Sequence, residues 1–415
     1  MVDELFRHRY GRMVAGLCRV LGPGRLDLVE DVVQEALMRA LRVWPAAGVP
    51  ENPEAWVLRT ARNLAVDALR RRKTADRIED ELQRWADRRD DDADEAPAVA
   101  DDTLRLLFLC AHPAVPPDAR IALMLKTVCG FGVPAIARAL LQKDATIAQR
   151  LVRAKAKLQG GDVAFEVPAV HQLRERLELV LAVVYLTFNE GYTAHVGEHL
   201  VRSDLVGEAV RLGSLLLDLP ETTTKEVHAL LSLMLLLGAR CPARTDPYGD
   251  LLTLAEQDRS LWDRRWLAAG FHHLRESIGG DVMTPFHCEA AIASVHAAAA
   301  TYDATDWPRI LREYDRLFSI APSPVVRLNR AVAVGKVHGL PAGIAELQAL
   351  RAEKALADYF LLPTTLGHLH WANGDRAAAE THFADALEQP CSEPENRLLR
   401  RRLDSCRRGE PPAPW

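Results

Sequence analysis

Five side chains between residues 146 and 157 have the chemistry to read a nucleic acid: Thr146, Gln149, Arg150, Arg153 and Lys157. Hydroxyl and amide groups can hydrogen-bond to base edges, and each good bidentate pair in a major groove contributes about 1–3 kcal/mol of discrimination. Guanidinium and ammonium groups bind phosphates instead and so fix register. Asn52, Trp56, Arg59, Arg62, Asn63, Arg70 and Arg71 form a second set, which joins an aromatic ring to concentrated positive charge. Stacking and phosphate neutralisation are the forces that hold single-stranded DNA. Asp27, Asp31, Gln34 and Glu35 make a third, acidic set. Each set also has a plainer explanation: basic faces that are only solvated, a tryptophan that belongs to the core, and acids favoured early in a helix by its macrodipole.

Helices must aim these groups. Ile136 to Leu141 scans as a short helix, Gln142 to Asp144 as a tight turn, and the stretch from Ala145 as a second helix. Ile147, Leu151, Ala154 and Leu158 fall on one stripe at about 100° per residue, which leaves the polar set on the remaining surface. A helix-turn-helix needs this division, because its second helix must seat on the first while offering donors to a groove. An ordinary helical hairpin with a basic face fits the same pattern. Upstream, residues 3–22 form a helix ending near Gly22-Pro23-Gly24, and Asp27 to Trp44 another, with Leu28, Val32, Ala36, Ala40 and Trp44 inward. Prolines from Pro45 to Pro53 break the chain. Asn52-Pro53-Glu54 then starts a helix that runs to about Lys73. Thr103–Cys110 and Asp118–Cys129 precede the hairpin.

The chain has 415 residues, too many for one core. Its seven cysteines are scattered with no C-x-x-C pair, so neither a disulfide frame nor a metal site is expected. The amino terminus lacks an apolar leader, and no run approaches the ~20 apolar residues of a membrane span. A cytoplasmic protein is expected. The net charge of −5 is segregated: +4 over residues 1–75, −8 over 76–102, +7 over 103–157 and −8 over the rest. Only the front is suited to a polyanion.

These residues carry a resemblance. Asp31-x-x-Gln34-Glu35-Ala36, Trp44-Pro45, and Asn52-Pro53-x-Ala55-Trp56 continuing through Ala61-Arg62-Asn63, Asp67 and Arg70-Arg71 resemble region two of the extracytoplasmic-function (ECF) branch of the sigma-70 family. Leu104 to Leu158, including Cys110-Ala111-His112-Pro113, resembles region four. Pro134-Ala135 stands where an acidic residue commonly sits, a departure that bears on one capping or phosphate-side contact. The resemblance spans residues 1–160 and is similar to the ECF subgroup with a long C-terminal extension. It implies that Asp31, Gln34 and Glu35 face core RNA polymerase, where carboxylate–arginine pairs give orientation. It implies that the Ala46–Asn52 loop and the Trp56–Arg71 helix melt and read the minus-10 element, and that Thr146 and Gln149 read minus-35 bases. Arg150, Arg153 and Lys157 would hold the backbone there. The acidic strap 76–102 is a solvated tether, or a mimic of nucleic acid in the polymerase cleft.

The rear half reads as helices at 170–189, 199–218, 222–239, 248–278 and 286–300. Asn189-Glu190-Gly191-Tyr192, after Phe188, also occurs in the extended subgroup. It fits a helix capped by Gly191, or a docking point between extension and sigma regions. His272-His273, His287 and His368/His370 are too isolated to argue for metal. Beyond residue 290, Leu366-Gly367, His370, Gly374, Ala379, Phe383, Ala386 and Pro390 fit the tetratricopeptide (TPR) pattern. Gly343, Leu347 and Leu350 lie 36 positions before Ala379, Phe383 and Ala386, and Ile310, Tyr314 and Leu317 lie another 33 before those. Such a stack has a concave face for a peptide or protein.

The expected architecture is all-α: 1–75 as region two, 76–102 as linker, 103–160 as region four, 165–290 as a helical extension and 291–408 as TPR-like repeats. The expected function is promoter recognition for RNA polymerase with regulation in cis by the extension, without an active site, a cofactor or a metal. Two other functions fit less of the pattern. A dimeric helix-turn-helix repressor with a TPR sensor leaves the Asp31–Glu35 patch unexplained, and a TPR scaffold without DNA function leaves both basic sets unexplained.

Overall fold

Apolar residues recurring at three- and four-residue spacing fold the chain into helices, because each stripe must be buried against another. A computed structural model describes residues 2–71, 96–140, 142–160, 163, 165–193, 201–280 and 282–412. The described residues form 18 helices, joined by single 3-10 turns, with one isolated β-bridge, Thr245 to Leu251, and no strand. The chain divides into two compact units: Met1–Phe188 with Gly207–Thr223, and Asn189–Val206 with Thr224–Trp415.

In the first unit α1 (Val2–Leu21), α2 (Leu26–Ala47) and α3 (Pro53–Arg71) pack on one another, and α4 (Ala96–Cys110) lies along α1. Then α5 (Pro117–Thr127), α6 (Val133–Ala139) and α7 (Asp144–Gly160) form the hairpin assembly, with α7 seated on both α5 and α6. Helix α7 also touches α2, so the two basic regions adjoin. At Gly11 a Cβ would strike the Val128 carbonyl oxygen, so only glycine lets α1 approach the end of α5 this closely. Cys18, Cys110 and Cys129 are buried thiols, and burial pushes Cys129 up to about 12. From α8 (Val170–Tyr192), the Thr187 hydroxyl lies 3.3 Å from the Cys129 sulfur.

The second unit is built on α10 (Lys225–Gly238), which packs against α11 (Arg264–Ser277) and α12 (Pro285–Ala298). Gly270 lets it do so: a Cβ there would meet Leu236 at 2.8 Å. The stretch Lys225–Ala243 is long and apolar enough to cross a membrane, unlike the expectation of no such run, but 67% of it is buried inside the fold as a core helix. Next come α13 (Trp307–Ile320), α14 (Pro324–His338), α15 (Leu340–Ala349), α16 (Leu361–Ala372), α17 (Arg376–Leu387) and α18 (Glu393–Arg407), each packed on the one before. Ile310 and Leu317, Gly343, Leu347 and Leu350, and Ala379, Phe383 and Ala386 are buried at matching places on alternate helices α13, α15 and α17.

Several expected boundaries move. Pro45 does not end α2, which runs to Ala47 and stops at Gly48, whose φ is 83°; the proline forfeits one backbone hydrogen bond and crowds the carbonyl four residues before it, a cost the helix bears. Residues 248–263 form no α-helix, only a 3-10 turn at Arg259–Leu261. Asp246 accepts from the backbone N–H groups of Tyr248 and Asp250, Gly249 sits at φ 81°, and Arg397 of α18 holds Asp250 at 2.6 Å. Gly191 is not a C-cap, since α8 continues through Tyr192. Its missing Cβ instead admits the Val206 backbone nitrogen, which a Cβ would meet at 2.7 Å. The strap lies outside the described residues from 76 to 95, and the helix expected from Thr103 starts at Ala96.

Candidate nucleic-acid and polymerase interface

Helix α7 buries Ile147, Leu151, Ala154 and Leu158, the stripe expected of it. Its opposite face exposes Gln149, Arg153 and Lys157, with Thr146 half-buried beside them. Arg150 is more constrained: its Nε lies 2.9 Å from Asp118, and Arg153 reaches the same carboxylate at 3.5 Å. Asp118 stands in the first turn of α5, where the helix dipole favours an anion. That carboxylate braces two of the cations against the hairpin and leaves Arg153 mostly in solvent. The first hairpin helix, α6, begins after Gly132 with no side-chain cap, as Pro134-Ala135 in place of an acid implies.

On α3, Asn52 caps the helix by accepting from the Ala55 N–H at 3.0 Å. Trp56 is half-buried, edge-on to buried Trp44 with centroids 5.5 Å apart, so it is at once a core contact and a reachable ring. Arg59, Asn63 and Arg70 are exposed along the helix, and Arg62 leans onto the Asn63 amide oxygen. The Arg71 side chain lies outside the described residues.

Helix α2 carries Asp31 exposed and Gln34 and Glu35 half-buried. Glu35 pairs with Arg39 at 3.1 Å and Arg42 at 3.3 Å along its own helix. Exposed pairs of this kind contribute roughly 0–1 kcal/mol, so a partner's arginines can displace them.

A cluster the spacing did not single out joins the two basic regions. Glu30 is buried in α2; its carboxylate accepts from the Thr127 hydroxyl at 2.7 Å and from the Lys155 ammonium at 2.6 Å. Lys155 also lies 2.7 Å from Asp27, and the Gln159 amide donates to Asp27 at 2.7 Å. Burial alone would depress the Lys155 ammonium, but Glu30 and Asp27 outweigh it and raise it above the ordinary lysine value. The signal was present in the chain. Glu30 follows Leu26 and Lys155 follows Leu151 by four positions, so each is a charge in an apolar register.

Of the stretch Asn189-Glu190-Gly191-Tyr192, Gly191 is buried in the second unit, and the Tyr192 ring lies 3.8 Å beneath the Arg244 guanidinium. Asn189 and Glu190 are half-exposed. Among the described residues no group of His, Cys, Asp or Glu could hold a metal ion.

A helical protein that presents a cationic reading helix and a second basic helix capped by asparagine has the build of a DNA-binding transcription protein. Residues 6–75 match the family model of sigma-70 region 2, and residues 105–158 that of sigma-70 region 4. Residues 176–278 match a family of unknown function, DUF6596. Uncharacterized protein R00370 of Rhizobium meliloti (strain 1021) is 39% identical over 383 residues, which cover 91% of this chain and 90% of that protein. No solved structure matches. The chain belongs to the sigma-70 family, with a layout consistent with its ECF branch and a C-terminal extension that fits the extended subgroup. Its front third thereby serves promoter recognition, through core RNA polymerase and promoter DNA.

Proposed function

We propose that the chain is an ECF sigma factor whose extension controls it in cis, with the parts 1–75, 76–102, 103–160, 165–290 and 291–408 in the roles of region two, linker, region four, helical extension and TPR-like repeats. Thr146 and Gln149 read minus-35 base edges, while Arg150, Arg153 and Lys157 hold phosphates. Asn52, Trp56, Arg59, Arg62, Asn63, Arg70 and Arg71 hold the melted minus-10 strand, and Asp31, Gln34 and Glu35 meet core polymerase. The observation that carries this reading is α7, which sets an exposed amide and two exposed cations over a stripe buried without exception. Asn189 and Glu190 are the half-exposed members of the proposed docking stretch, where Gly191 and Tyr192 serve internal packing. The stack α13–α18 offers a groove for a peptide or protein. The protein works without catalysis of its own, in the cytoplasm beside polymerase.

Co-purification with core polymerase followed by run-off transcription tests the function. Polymerase-dependent transcripts that lose preference for one minus-35 base with Gln149→Ala are expected; duplex binding at a palindrome without polymerase would indicate a repressor instead. For regulation in cis, a chain ending at Thr223 retains every residue of the first unit. Promoter output from it equal to that of the full chain removes the regulatory role.

A further inference from the structure

Three arginines of the second unit come together where acids are missing. Arg240 and Arg259 both lie over Trp262, with guanidinium carbons 5.7 and 4.6 Å from the ring centroid, and Arg244 stacks on Tyr192. Arg244 and Trp262 are buried, and Arg240 and Arg259 are half-buried. Arg244 donates to the Tyr192 carbonyl and the Thr193 hydroxyl. Arg259 donates to the His296 and Ala299 carbonyls at the end of α12, where the helix dipole is negative, and its second terminal nitrogen is buried with no hydrogen-bond partner. Arg240 has only the Gln257 amide oxygen, at 3.3 Å. Among the described residues none of the three makes an ion pair. The acids that follow in sequence are engaged elsewhere: Asp258 and Asp263 cap helices, and Glu256 is paired with Arg402 at 2.6 Å.

Carbonyls and rings satisfy N–H groups without neutralising charge, and like charges withdrawn from water destabilise a fold unless a counter-charge arrives. The guanidinium fork is matched in geometry to carboxylate and phosphate oxygens. We propose that Arg240, supported by Arg244 and Arg259, forms a binding site for a small oxyanion, the phosphoryl or carboxylate group of a metabolite. Burial and the neighbouring arginines weaken protonation of Arg240 and of His296, which falls to about 3, so the locality already resists further positive charge. This site lies outside the DNA-reading surfaces and does not depend on the roles proposed for them.

The test uses the full chain. Thermal unfolding is followed while inorganic phosphate, or acetate in a separate arm, is titrated against chloride at constant ionic strength. A saturable rise in the midpoint with either anion is expected, since a ligand that binds only the native state stabilises it; the arm that responds tells phosphoryl from carboxylate. Arg240→Gln is expected to weaken that binding at least tenfold, and Arg309→Gln, an exposed arginine elsewhere, to leave it unchanged. Should Arg240→Gln fail to fold, the wild-type chain is treated with phenylglyoxal and the modified arginines are mapped by mass spectrometry. Saturable protection of Arg240 by the anion supports the site. No saturable response beyond chloride, full retention by a folded Arg240→Gln, or protection that spares Arg240 overturns it.

Discussion

Lys155 is a charge held in an apolar register by two acids, and its removal isolates the deeper one. With Glu30 only 2% exposed, Lys155→Met leaves a carboxylate whose remaining partner is the Thr127 hydroxyl. Removing one member of a buried pair destabilises by about 3–5 kcal/mol; the retained Thr127 hydroxyl and half-exposed Asp27 put the expectation near the lower figure. Urea unfolding should show it, and adding Glu30→Gln should recover most of the loss. No recovery in the double variant would mean that packing, not charge, holds this site. His368 makes a second residue-scale case. It is buried edge-on to Phe383, and burial, reinforced by the Arg402 cation, lowers its pKa from 6.5 to about 3. Because the folded value is depressed, the unfolded chain binds a proton that the native one refuses below about pH 6.5. Stability is therefore full above that pH and falls as the pH drops towards 3, by up to about 1.4 kcal/mol per pH unit. His368→Leu should flatten the acid limb of midpoint against pH; an unaltered limb would show that His368 is not the group responsible.

At the scale of elements, α7 was legible because its buried stripe keeps a strict helical period and its other face carries a single large apolar residue, Val152. The burial of Gly343, Leu347 and Leu350 was legible for the same reason, since positions that recur at a fixed spacing display their core role twice or more. Glu30 and Lys155 were not, because an acid or a lysine on a stripe marks an exposed edge as readily as a buried pair; only the partner decides, and the partner is 125 residues away. Residues 248–263 misled because helix-forming residues there are captured by Arg397, Arg401 and Arg402 of α18, contacts that local propensity does not contain. Two predictions belong here. Arg153→Ala should reduce the slope of promoter affinity against log salt by about 1 without changing sequence preference, whereas Gln149→Ala should relax preference at one minus-35 position. Gel-shift titration of the polymerase complex over several salt concentrations separates them, and a shared phenotype would contradict the division of labour. Gly191→Ala should destabilise the second unit by about 1–3 kcal/mol, because its Cβ would meet the Val206 nitrogen and Leu205 Cβ within 2.8 Å. Calorimetry resolves this; an unchanged transition would mean that the approach of Leu205 and Val206 to α8 yields freely.

At the scale of the whole molecule, the first unit poses a geometric problem for its own function. Region two and region four touch through Lys155, Glu30, Asp27 and Gln159 and through the bare backbone at Gly11. On the proposed assignment the two lobes serve two separate promoter elements, minus-10 and minus-35, set apart along a duplex that rises about 3.4 Å per base pair. If α3 and α7 take the two elements as proposed, lobes in direct contact must part, with α7 leaving α2, to engage both. Where core polymerase takes up only the parted arrangement, the apparent affinity for it scales with the fraction of molecules already open. Gly11→Ala addresses this without touching a DNA- or polymerase-facing residue, since its Cβ collides with the Val128 carbonyl of the opposing lobe and nothing in it alters charge. Overpacking of this kind destabilises the closed arrangement by about 1–3 kcal/mol. As about 1.4 kcal/mol is tenfold in an equilibrium, apparent core affinity should rise about five- to a hundredfold while the closed form still predominates. Small-angle X-ray scattering should report a larger radius of gyration for the variant, and competition for limiting core polymerase should report the gain. A folded variant with an unchanged radius and unchanged affinity would mean that the contact between the lobes does not gate the factor.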